Sequence, residues 1–111
     1  DRVTLHQATH PADWPAQCFD LIVFSEVGYY FEAAAFDDTV ARLATTLEPG
    51  GCLAACHWRH PFDAARRSAE AVHAALDQAL GRPTLCRYED ADFLMQLWAP
   101  GPSVAQREQL R

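Results

Sequence analysis

The sequence predicts an α/β fold: a mainly parallel sheet layered with helices. Three observations carry that expectation. Two apolar runs, Phe19–Ser25 and residues 52–58, are continuous rather than alternating, the pattern of strands covered on both faces. A helical stretch lies between them, with Val40, Leu43, Ala44 and Leu47 at i, i+3, i+4 and i+7 on one apolar face. A second helical stretch follows the second run, so strands and helices alternate, and alternation of this kind builds parallel sheets.

The elements follow in order. Residues 3–7 form a short strand, followed by the Pro-punctuated loop ATHPADWPAQC. Phe19–Ser25 is the second strand. Asp37 and Asp38 are candidate N-caps for the first helix, and the breakers in EPGG, residues 48–51, stop it. Residues 52–58, CLAACHW, are the third strand. Ser68 caps a second helix reaching Leu80, with Val72, Leu76, Ala79 and Leu80 facing inward and Gly81 and Pro83 ending it. TLCRY and FLMQLW are two further strands, and the turn-like EDAD between them makes the pair an antiparallel hairpin. The tail, residues 101–111, is polar.

Bulk composition narrows the function. A chain of 111 residues is one domain at most, and half of it is hydrophobic, enough for a core. Its net charge of −6 argues against nucleic acid, because phosphate binding requires concentrated Lys and Arg. All nine basic residues are arginine. No apolar stretch is long enough for a membrane span and no signal-peptide pattern opens the chain, so a soluble, cytoplasmic protein is expected. Cys18, Cys52, Cys56 and Cys86 mostly lie in or beside apolar strands and read as buried thiols. The chain opens Asp1-Arg2-Val3 without methionine, like a piece of something longer.

Ligands of open parallel sheets sit outside the carboxyl ends of the strands. Glu26, Tyr29 and Tyr30 follow one strand there; His57 and Arg59 follow its neighbour. Glu26 is the first candidate for a general base or acceptor contact, against the plainer reading of a solvated turn residue. Tyr29 and Tyr30 would wall a site where aromatic faces favour a cation, though core packing is the commoner fate of such rings. His57 is a second candidate base, or else a satisfied buried histidine; Arg59 would orient substrate, or else form a surface ion pair. His60 is weaker, and His73 reads as a partly buried helix residue. Cys52, Cys56, His57 and His60 do not make a metal site, because residues 56 and 57 of a strand face opposite ways.

WPAQCFDLIVFSEVGYYF, LATTLEPGGCLAACHWRHP, AVHAAL and ADFLMQLW together resemble the C-terminal portion of class I S-adenosylmethionine-dependent methyltransferases, closest to the nodulation-type N-methyltransferase group. The resemblance runs to about Pro100, so residues 1–100 read as the C-terminal part of a methyltransferase domain. It implies a Rossmann-like methyltransferase sheet, mainly parallel with a C-terminal antiparallel strand, lacking its first two strands. It also implies S-adenosylmethionine as cofactor and a small-molecule acceptor, an amine or sugar amine. Glu26 and His57 are then the catalytic candidates, Tyr29, Tyr30 and Arg59 the substrate contacts, and Ala8, Thr9, Ser25 and Glu26 the cofactor contacts. The family's glycine-rich loop and ribose-binding acidic residue have no counterpart here, and Thr9 stands where an Asp is common.

In the family's order the first strand borders the strand matching Phe19–Ser25. Without it that apolar strand is an edge, an aggregation hazard unless covered. The expectation is that it pairs with residues 3–7, pairs with another copy in a homodimer, or belongs to a longer protein. Two rivals stand beside methyl transfer: a non-catalytic module that dimerises through the edge, and half of a nucleotide-dependent dehydrogenase. The dehydrogenase fits the Pro-Gly-Gly turn and the final hairpin less well.

Overall fold

The computed structural model describes residues 2–109. Its elements are β1 (Phe19–Ser25), α1 (Ala33–Thr46), β2 (Leu47–Trp58), α2 (Ala69–Leu80), β3 (Thr84–Glu89), β4 (Phe93–Trp98) and a short α3 (Val104–Arg107). The sheet order is β1-β2-β4-β3, with β1 parallel to β2 and the other two pairs antiparallel. The C-terminal hairpin therefore forms as expected, but β4 rather than β3 lies beside β2.

Residues 3–7 are not a strand. They are exposed and unpaired, with Leu5 91 % accessible. A β-branched, apolar composition favours a strand only where a neighbouring ladder accepts it, and β1 leaves this segment outside the sheet. The edge of β1 is therefore bare in the monomer, and the expected pairing with residues 3–7 does not occur.

Helix α1 begins at Ala33, capped by Glu32 without a side-chain hydrogen bond, well before the expected caps Asp37 and Asp38. Ala33, Ala34 and Ala35 are the strongest helix formers and carry the first turn toward the N-terminus. Asp37 and Asp38 thus lie inside the helix, where Asp38 takes an i,i+4 ion pair from Arg42 at 3.2 Å. The EPGG turn survives as a bulge within β2 rather than as a break before it. Phe19 pairs with Leu47 but Leu21 pairs with Cys52, so β2 takes up three more residues than β1 between those pairs.

Helix α2 runs as the sequence implies. The Ser68 hydroxyl accepts from Ala71 N at 3.0 Å, and Gly81 ends the helix at φ +63°, a left-handed conformation that glycine adopts without a Cβ clash. Val72, Leu76 and Leu80 are buried, whereas Ala79 is exposed, one position off the apolar stripe. Ser68→Ala is expected to lower stability by about 1 kcal/mol, read by urea denaturation, while Ser68→Asp retains most of it.

Both helices pack on one face of the sheet. Ile22, Phe24, Leu53, Ala55 and Trp98 meet Phe36, Val40, Leu43, Val72, Leu76 and Leu80 there. The strands are thus covered on one face only, not on two. The register places Leu21, Val23, Cys52, Ala54, Cys56, Met95 and Phe93 on the opposite face. Val23 is 66 % and Leu21 54 % accessible. The continuous apolar runs record this second face as clearly as the first, although no element of the described residues packs on it. Nor are the thiols buried as expected: Cys18 and Cys86 are exposed, Cys52 and Cys56 half-buried, and all are free.

Candidate active site at the strand ends

The carboxyl ends of β1 and β2 lie side by side, and the chain leaving each one turns over the end of the sheet. Glu26 closes β1: its N–H donates to Cys56 O at 2.9 Å, and its φ is +58°. A glutamate in the left-handed region costs roughly 1 kcal/mol and persists only where its surroundings hold it. Here they do, because Oε2 accepts the N–H of Trp58 at 2.7 Å. The conformation brings the exposed carboxylate back across the strand ends, where it reaches β2. Ser25, exposed beside it, donates its hydroxyl to Cys56 O at 3.3 Å.

Tyr29 is 1 % exposed, ringed edge-on by Tyr30, His57 and Phe62 at centroid distances of 5.3, 5.1 and 5.0 Å. Its hydroxyl receives a long hydrogen bond from Trp58 N, 3.4 Å, the same N–H that reaches the Glu26 carboxylate. Burial first, and then that carboxylate, push the phenol well above its usual range, so it stays a neutral donor. Tyr30 is the exposed ring of the pair, 53 % accessible. Tyr29, Trp58, Arg59, His60, Phe62 and Arg66 line a cavity of about 280 Å³ over these ends.

Two expected site residues are otherwise engaged. His57 is 0 % exposed, with Nε2 accepting from Gly28 N at 3.1 Å and Nδ1 lying 3.0 Å from His73 Nε2. Burial, with His73 as a lesser cause, pushes its pKa down to about 3. An imidazole with both nitrogens occupied inside the core is not placed to take a proton from a substrate. Arg59 is spent on the protein: Nε meets Glu70 at 2.8 Å, one terminal nitrogen meets Glu89 at 3.3 Å, and the other donates to Asp90 O. It pins β2 to the β3–β4 turn and to the start of α2. Ala8 and Thr9 are exposed in the N-terminal segment, and both backbone polar groups of Thr9 are taken by Asp13.

Sequence reasoning missed Trp58, whose backbone N–H anchors both Glu26 and Tyr29, and Gly28. A Cβ at Gly28 would lie 2.6 Å from Val72 Cγ1 and 3.1 Å from His57 Nε2. The only signal was a glycine between two aromatic residues and a carboxylate, which names no partner. Gly28→Ala is expected to destabilise the chain by about 1–3 kcal/mol through overpacking, and Val72→Ala in the same chain to recover part of it, measured by thermal melting.

A second concavity, about 500 Å³, runs along the bare edge of β1 from Trp14 and Phe19 to Ser25, Val27 and Phe31. Thr39 lines it, and its buried hydroxyl has no hydrogen-bond partner among the described residues. The described residues hold no cluster of His, Cys, Asp and Glu fit for a metal ion, and no helix long and apolar enough to cross a membrane.

A parallel β1-β2 pair, finished by an antiparallel hairpin whose last strand is inserted, is the arrangement expected of the C-terminal portion of a class I methyltransferase sheet. Solved structures bear this out. The chain is similar, at 43 % identity and TM-score 0.68, to a protein from Pseudomonas syringae assigned as a methyltransferase, over 84 % of this chain and 55 % of that one. It is similar, at 27 % identity and TM-score 0.64, to the N-methyltransferase NodS from Bradyrhizobium japonicum in complex with S-adenosylhomocysteine, over 79 % of this chain and 49 % of NodS. A Burkholderia thailandensis O-methyltransferase family protein, 11 % identical with TM-score 0.61, shares the fold. Thus the chain spans about half the length of the first two. No family model and no curated protein sequence matches it.

Proposed function

We propose that the chain serves S-adenosylmethionine-dependent methyl transfer to a small molecule and supplies the acceptor side of the reaction site. The observation that carries the reading is Glu26, held in a strained conformation at the strand ends of a chain 43 % identical, over 84 % of its length, to a methyltransferase-type protein. The cofactor supplies an activated methyl group on a positively charged sulfur. Ser25, at the mouth of the β1 groove, and the orphaned hydroxyl of Thr39 within it are the polar groups this chain offers toward such a ligand. Neither a glycine-rich turn nor a ribose-binding carboxylate is among its residues at β1, so the fit covers one side of the site.

What the chain does is orient and deprotonate. The acceptor nitrogen must keep its lone pair for an in-line attack and lose a proton as its new bond to carbon forms. Glu26, fixed by the Trp58 N–H, still has lone pairs to receive that proton, and the Tyr29, Tyr30 and Phe62 rings pack together beside the same strand ends. An amine acceptor is favoured by the likeness to an N-methyltransferase. A cytoplasmic setting and the absence of a nucleic-acid partner belong to the same reading, consistent with the net charge of −6.

The bare β1 edge and open sheet face favour a second reading, a non-catalytic module that dimerises through that edge. Calorimetric titration of S-adenosylhomocysteine, with light scattering on the same sample, separates the two. Micromolar binding is expected under methyl transfer, with Glu26→Gln then lowering turnover about 10²- to 10⁴-fold at unchanged cofactor affinity. A folded dimer that binds nothing supports the module instead.

A further inference from the structure

The buried polar groups behind the strand ends form one continuous line. Gly28 N–H can only donate, so His57 Nε2 must carry a lone pair and the neutral ring's proton sits on Nδ1. That proton points at His73 Nε2, 3.0 Å away, which must accept. The proton of His73 is therefore on its own Nδ1, donated to Gln96 Oε1 at 3.1 Å, and Gln96 Nε2 donates to Thr84 Oγ1 at 2.9 Å. Each bond sets the direction of the next. The line crosses the β1–α1 loop, β2, α2, β4 and β3, and His57, His73 and Gln96 are all buried.

We infer that His57 and His73 are positioning residues: their one-way hydrogen-bond relay fixes the loop carrying Glu26 and Tyr29, and protonating either ring turns the relay around and releases that loop. An imidazolium at His57 presents Nε2–H to Gly28 N–H, donor against donor. At His73 it donates from Nε2, so His57 must accept at Nδ1 and shift its own proton to Nε2, with the same result. The consequence for activity rests on the reading of the strand ends as the reacting site; the relay itself does not.

The surroundings keep both rings neutral at pH 7. Around His57 stand Phe24, Tyr29 and Val72, with the Glu26 carboxylate beyond and the Arg67 guanidinium donating to Gly28 O at 2.8 Å. His73 shares a cavity with Glu70 and Asp77 of α2, Arg87 of β3 and Gln96 of β4, and packs near Trp98. Glu70 is held by Arg59 and Asp77 by Trp98, while Arg87 opposes a charge on His73. Burial pushes the pKa of both rings down.

Nitrogen-15 NMR of the labelled chain tests this without cofactor. At pH 7.5 both histidines are expected as Nδ1–H tautomers, with a slowly exchanging Gly28 amide. Gln96→Glu replaces one end atom and places a carboxylate on His73 Nδ1. His73 should then titrate closer to neutrality, and below its midpoint Gly28 should exchange at least ten-fold faster, while the amides of Val40 and Leu43 in α1 hold. Above the midpoint, protection should return. His57→Gln, able to accept and donate at once, should keep the loop ordered, whereas His57→Phe should not. An Nε2–H tautomer at His57 in the native chain overturns the relay, and so does Gly28 exchange in Gln96→Glu that ignores pH or rises together with α1. Because none of these readouts involves S-adenosylhomocysteine, failed cofactor binding would count against the methyl-transfer reading alone.

Discussion

Trp98→Ala is expected to remove most of the chain's stability at 25 °C. Trp98 is the largest fully buried side chain. It sits on β4 opposite Leu53 of β2 and Thr84 of β3, and donates its indole N–H to Asp77 of α2 at 2.9 Å. Removing a buried tryptophan costs about 3–5 kcal/mol from lost transfer energy and the cavity left behind. A domain of ordinary stability has only about 5–15 kcal/mol to lose. This chain, with one sheet face uncovered, should lie toward the low end. Urea denaturation followed by circular dichroism reads the result. Phe93→Ala, on the open face of the same strand, supplies the contrast: its ring meets mainly Trp58, at 5.1 Å, so its loss should cost under about 1 kcal/mol. Equal losses at positions 93 and 98 would mean that the open face is covered in solution, by a second copy or by another segment.

That contrast also marks what the sequence could say. Helix α2 was legible to the residue because its signals are local: a serine cap, an apolar stripe and a left-handed glycine. The strands were legible for a different reason. Phe19–Ser25 is apolar on both faces whether or not both are covered, so the pattern reported a strand but misjudged its surroundings. Residues 3–7 failed because a strand requires a partner, and composition cannot supply one. At the site, Glu26 and the Tyr29–Tyr30 pair were singled out by their place after an apolar run, and the structure sets them at the end of β1. The roles of His57 and Arg59 were not, because a histidine or arginine at a strand end looks the same whether its partners are substrate or protein. His73 lies 16 residues from His57 and Gln96 a further 23, distances at which only the folded topology makes neighbours.

Acid should unfold the chain earlier than its carboxylates alone would predict. In the unfolded chain His57 takes up a proton near pH 6.5; in the folded chain it resists until about pH 3. Between those values the unfolded state binds more protons, so stability falls as pH falls through this window and is fully present only above 6.5. His73, also held below its usual value by burial, acts in the same direction. At about 1.4 kcal/mol per pH unit, His57 alone accounts for a loss on the order of 3–5 kcal/mol by pH 3, a large part of the total. Glu70 and Asp90, held down by Arg59 and by the Tyr88 hydroxyl respectively, begin to contribute only in the ordinary carboxylate range, where the unfolded chain takes up protons that the folded chain still resists. Stability measured in urea at half-unit steps from pH 7.5 to 4 should show a slope beginning near 6.5. His57→Gln cannot titrate, so its curve should be flatter over the same range and should meet or cross the native curve near pH 5. A native curve that stays level down to pH 4.5 would place His57 in contact with water and contradict its burial. The same slope, present in the native chain and reduced in His57→Gln, would make the core histidines the reason that this sheet, open on one face, holds its shape only near neutrality.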